Sequence, residues 1–123
     1  MYHQGRCSAI LAIVLVILLP HLETTHVTTI TMGNSSGWGF SVGNWTNGKT
    51  FKAGDLLVFI YDPSFHNVVA VDTNGFNSCT ASATSRAYST GKDQVKLSKG
   101  HHYYICSIPG HCDGGLNIPV NVS

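Results

Sequence analysis

The chain has 123 residues, four cysteines and a formal net charge of +1, a size and balance that fit one domain. No basic cluster points to nucleic acid, and no acidic tail is present.

The chain starts with a charged segment, Met1 to Ser8, that carries Arg6. Ala9 to Leu19, "AILAIVLVILL", follows as an unbroken apolar run of eleven residues. Crossing a bilayer takes about 20 such residues. A charged start, a short apolar core and then polar residues predict a secretory signal over residues 1–26, rather than a buried core helix. The sequence "PHLETTHVTT" has no A-x-A site, so cleavage is placed only between residues 22 and 27. The remaining domain, residues 27–123, has about 97 residues, enough for a modest core. Five lysines and Arg86 there face five aspartates. No second apolar stretch near the C-terminus signals a lipid anchor. A soluble, secreted, monomeric product without a membrane anchor is expected. Three N-x-S/T triplets, at Asn34, Asn44 and Asn121, are glycosylation candidates that fit that compartment.

From Val27 the sequence reads as short strands between turns. "VTTITM" is β-branched and alternating, and "GNSSGWGF" is a loop leading to Trp38 and Phe40. "NWTNGKTF" holds Asn47-Gly48, a hairpin signal. "DLLVFIY", Asp55 to Tyr61, suits a strand buried on both faces. "HNVVAV" is another strand, and "DTNGFNSC" reads as a turn. Weak periodicity between Thr80 and Ser89 leaves room for a short helix. "QVKLS" and "HYYIC" are strands, and "LNIPVNV" puts Leu116, Ile118, Val120 and Val122 on one face. Pro119 in that run predicts an edge strand or a bulge. Some seven strands at about ten-residue spacing argue for an all-β sandwich or barrel.

Cys7 leaves with the signal, so the domain keeps Cys79, Cys106 and Cys112, an odd number. Secretion favours one disulfide among the three, with one thiol left over. His111 and Cys112 are neighbours and would point to opposite faces of an extended chain. If His111 faces a metal, Cys112 faces away and can bridge to Cys79, which leaves Cys106 free. The Pro-Gly turn in "SIPG" can fold Cys106 and His111 toward one point. His66, forty residues before Cys106, is the third candidate ligand. Two imidazoles and one thiolate form the blue-copper set, which usually adds a weak axial donor; zinc also takes Cys and His. Read singly, His66 and His111 fit surface loop histidines and Cys106 an inert buried thiol.

"SSGWGFSVGNW", "FKAGDLLVFIY", "HNVVAV", "GFNSC", "GKDQVKL" and "YYICSIPGHCDGGL" together resemble the phytocyanins, plant blue copper proteins, in their plantacyanin or basic blue branch. The resemblance spans nearly all of residues 27–123. It implies a cupredoxin-like Greek-key β-sandwich, one type 1 copper per chain held by His66, Cys106 and His111, and a Cys79–Cys112 disulfide. The family's axial position falls on Leu116, where plantacyanins carry methionine and another branch carries glutamine. Leucine offers no lone pair.

The function implied is one-electron transfer without substrate turnover. A redox or cell-wall partner would dock near an exposed His111 edge, with Phe65, Ile108 and Pro109 as an apolar rim. The alternative is an extracellular signalling or cell-wall protein, linked with reproductive tissue and pollen-tube guidance, in which redox activity is secondary. Either places the protein in the plant apoplast or wall. A Cys-His enzyme is the weakest reading, because no orienting group for a catalytic base is evident.

Overall fold

The structure, a computed structural model, describes residues 26–123. The expected signal, apart from His26, lies outside them. Seven strands and one helix follow in order: β1 (Thr29–Thr31), β2 (Leu56–Ile60), β3 (Val68–Val71), α1 (Thr73–Ser78), β4 (Arg86–Tyr88), β5 (Lys92–Lys96), β6 (Gly100–Ile105) and β7 (Asn117–Val122). They form two sheets, β1-β2-β5 and β4-β3-β6-β7. β1 runs parallel to β2, and every other pairing is antiparallel. The expected seven-stranded sandwich is the observed fold.

The core lies between the sheets. β2 contributes Leu57 and Phe59, and β7 contributes Ile118, Val120 and Val122, all buried. Period-2 alternation explains this: each strand turns every second side chain inward. Phe59 sits at the centre, with the edge of Trp38 at 5.2 Å on one side and Tyr104 at 5.2 Å on the other. Burying one such ring contributes about 1.5–3 kcal/mol. β7 is an edge strand, as Pro119 predicts; Pro119 faces Tyr103 across the ladder.

Three expectations fail locally. No helix lies between Thr80 and Ser89; residues 86–88 instead form β4 against β3. The helix is α1, upstream, in the segment that reads as a turn. Asp72 caps it by accepting a hydrogen bond from the Gly75 amide at 2.8 Å. Gly75 is needed for space, since a Cβ there would meet the Thr80 carbonyl oxygen at 2.6 Å. Asn47-Gly48 does form a turn, closed by Lys49 N–H to the Thr46 carbonyl at 3.1 Å. No hairpin flanks it. Phe51 instead bridges in parallel to Val122, because its ring is buried in the main core.

Asp93 on β5 is buried yet satisfied: Tyr61 donates its hydroxyl to it, and Thr90 Oγ1 donates at 2.6 Å. Burial, and then the Asp93 hydrogen bond, push the Tyr61 phenol up to about 12, while burial pushes Tyr104 to about 12. Both values lie above the ordinary 10.0, so the neutral phenols favour the fold. Their contribution is intact below pH 10 and is lost as pH rises toward about 12. An ultraviolet titration of the folded protein should show two late-ionising tyrosines. Tyr61→Phe should remove one of them and lower stability by about 1–2 kcal/mol in urea denaturation, because Asp93 loses a donor.

Candidate metal centre

Three ionisable side chains meet at one end of the sandwich. β6 ends at Ile105, and the next residue, Cys106, follows the inward face set by Tyr104. Its sulfur is 0 % exposed in the main core. Ile105 points the other way, into a second cluster with Val69 and Cys112 under Phe76 of α1. There Cys112 is bonded to Cys79, Cα to Cα 5.6 Å.

The segment from Gly110 to Gly115 is tightly turned rather than extended. His111 N–H reaches the Ile108 carbonyl at 3.0 Å, and Gly114 N–H reaches Gly110 at 3.0 Å. His111 and Cys112 therefore diverge because of successive turns, not strand alternation as the sequence argument assumes. The backbone of Leu116 closes the loop: its N–H bonds the His111 carbonyl and its carbonyl accepts from Cys106, both at 3.0 Å. Gly115 (φ +118°) fits beneath Phe40, where a Cβ would meet the Phe40 carbonyl oxygen at 2.8 Å.

His66 arrives from the β2–β3 turn. The Asp62 carbonyl accepts from the amides of Phe65 (3.0 Å) and His66 (3.1 Å). The Asp62 carboxyl, held below its usual range by hydrogen bonds from Ser64, steadies the same turn. Asn67 then locks the position. Its amide donates to Ser107 Oγ and its side-chain oxygen accepts from the Ser107 amide, both at 2.8 Å, while Trp38 Nε1 donates to its carbonyl at 2.8 Å.

The result is a cluster in which Nδ1 of His66 lies 3.0 Å from Nδ1 of His111, and Cys106 Sγ lies 3.6 Å from His111 Nδ1. All three donor atoms fall within 4.8 Å of one another. Burial, and then the neighbouring His111, push the His66 imidazole below its ordinary range. That favours the neutral form, the form that ligates a metal. A soft thiol beside two imidazole nitrogens fits a borderline or soft metal ion. Leu116, 0 % exposed, lies in the main core with Cys106.

The sequence-predicted trio is thus assembled, and the disulfide pair is bonded. Phe65 is 62 % exposed, Pro109 is exposed and Ile108 is half-buried. Both imidazoles are half-buried. Asn34, Asn44 and Asn121 lie on the surface. Sequence reasoning missed Phe40, which is 53 % exposed and packs edge-on against His66 (5.4 Å) and His111 (5.1 Å). It also missed the Asn67–Ser107 clamp. The only signal for the clamp is that each partner directly follows a candidate ligand; for Phe40 there is none. Asn67→Ala should cost about 1 kcal/mol and speed the reaction of Cys106 with a thiol reagent in metal-free protein.

Comparison with known proteins agrees with the geometry. A plastocyanin-like domain model matches residues 35–116. The chain is 48 % identical over 124 residues to a chemocyanin of Lilium longiflorum, covering 98 % of each. Among solved structures, cucumber basic protein, a blue copper protein, superposes with a TM-score of 0.76 at 47 % identity, covering 78 % of this chain and all of that one. Spinach plantacyanin gives 0.68 at 48 %, covering 80 % of this chain and all of its own. By family model, full-length similarity and fold together, the chain belongs to the plastocyanin-like phytocyanin family, in the branch that includes the basic blue proteins.

Proposed function

We propose that this protein is a secreted one-electron carrier that holds one copper ion between His66, Cys106 and His111. The observation that carries this reading is the convergence of one buried thiol and two imidazoles within 4.8 Å. Copper bound there would supply one-electron exchange between Cu(I) and Cu(II). Everything else is the work of the chain. Cys106 offers the soft donor once it gives up its proton, and His66 is already biased to its neutral form. The clamp from Asn67 to Ser107 ties the His66 turn to the Cys106 loop, which limits rearrangement. Both imidazoles face the thiol and each other, the arrangement of a ligand set. A nucleophilic thiol would instead need one imidazole as base and a third group orienting it.

If copper is held there, buried Leu116 would offer it no donor atom at the position where relatives carry an axial donor. An axial lone pair stabilises the more oxidised state, so its absence raises the reduction potential, and the dry wall adds to the effect. Phe40, Phe65, Ile108 and Pro109 rim the half-buried histidines. They form the surface through which a redox partner would reach the His111 edge. The apolar N-terminal run supports secretion to the apoplast. Among the described residues, no helix is long and apolar enough to cross a membrane.

Cu(II) added to the metal-free protein should give an intense blue colour with a small copper hyperfine splitting, lost in Cys106→Ala. A colourless product with a freely titratable Cys106 would leave the extracellular signalling or wall reading in its place. In voltammetry, Leu116→Met should lower the reduction potential of the copper-loaded protein; an unchanged or higher value would refute the axial reading.

A further inference from the structure

The outward face of the four-stranded sheet is only partly covered. Phe76 of α1 and the Cys79–Cys112 bridge pack over β3 and the end of β6. Over the start of β6 and the end of β7 the face is open, with His101, Pro119 and Asn121 exposed. The Phe51–Val122 bridge brings the turn at Thr46–Lys49 alongside this face. Between them lies a cleft of about 290 Å³, near the lower end of the ~300–1,000 Å³ range of small-ligand sites. A second hollow of about 190 Å³ shares Lys49, Phe51 and Asn121 with it and extends past Ser123.

The chemistry of this cleft is specific. Tyr103 presents a half-buried ring held against Phe76 at 4.9 Å, with Pro119 opposite it in the ladder. Among the described residues, the side chains of Thr46, Asn47, His101 and Asn121 make no hydrogen bond. Lys49 is the fixed cation, its ammonium 4.8 Å from the centre of the Trp45 ring. The larger cleft is lined by no acidic side chain, and Ser123, the last residue of the sequence, lines the smaller hollow. An aromatic and a proline surface packs on the apolar face of a sugar ring, amides and hydroxyls meet its hydroxyls, and a lysine in a cleft without acidic side chains suits an anion.

We propose that this cleft binds an acidic polysaccharide, a run of uronic acid residues. Lys49 pairs with a ring carboxylate, Asn47 and Asn121 meet ring hydroxyls, and Tyr103 with Pro119 packs against the ring face. The cleft lies toward the far end of β6 from Cys106, with Tyr103 and His101 about 10 and 16 Å away along the strand at the usual rise. A chain anchored there leaves the histidine end uncovered. The inference does not depend on the metal.

The test is an amide NMR titration of the secreted, metal-free protein with a short oligogalacturonate, beside a neutral cello-oligosaccharide of equal length. Shifts should centre on Thr46 to Phe51, His101 to Tyr103 and Asn121. Affinity should fall about five-fold in Lys49→Gln, the worth of one exposed charge contact. It should fall with added salt and be unchanged in Lys92→Gln, on the far edge of the other sheet. Equal binding of the neutral sugar, unchanged affinity in Lys49→Gln, shifts spread over the β5 lysines, or no shifts at all would each overturn the proposal. So would a glycan found on Asn121, which would fill the cleft.

Discussion

Strand β6 separates the free thiol of Cys106 from the Cys79–Cys112 disulfide. Tyr104 and Cys106 face the space between the sheets, and Ile105 faces outward with the Cys79–Cys112 bridge. A β-sheet therefore stands between the free thiol and the disulfide. In an oxidising compartment a thiol next to a disulfide invites exchange, and exchange requires in-line approach of one sulfur to another. Alternation along one strand prevents that approach and leaves Cys106 available to the two histidines. The covalent staple lies one layer away from the donor cluster and anchors the same loop from behind.

The second dependence is on short polar ties across sequence-distant loops. His66 and Cys106 lie on different connections, and packing alone would leave their loops free to slide. The double hydrogen bond between Asn67 and Ser107, with Trp38 holding the Asn67 carbonyl, fixes their spacing. The Leu116 backbone does the same for Cys106 and His111. Leu116 thus has two separable roles. Its backbone is part of the loop closure, which any residue could provide, while its side chain is buried in the main core with Cys106. This is why an unusual residue can stand there without disturbing the fold.

Much of the fold was legible from local rules. "LNIPVNV" carries its burial in its alternation, whereas "DLLVFIY", expected to be buried on both faces, leaves Ile60 exposed on the outer face of its sheet; Pro119 announces an edge because it cannot donate to a ladder. The failures share one cause. "DTNGFNSC" looks like a turn because asparagine and glycine are poor helix formers. It becomes α1 because Asp72 caps it and the tight approach of Thr80 excludes any side chain at Gly75. Asn47-Gly48 keeps its turn but loses its hairpin, because Phe51 is drawn into the core beside β7.

The sequence by itself determined the composition of the donor set, one thiol and two imidazoles in a family register. It also marked Leu116, since a missing donor atom is a property of residue type alone. Only the tertiary structure decided that the three donors meet within 4.8 Å, that Phe40 packs on both imidazoles, and that His111 and Cys112 part by successive turns rather than by strand alternation. Those outcomes depend on distances between segments forty residues apart in sequence (His66 and Cys106). Such distances are set by the shared core and the ties across it, and no local pattern encodes them.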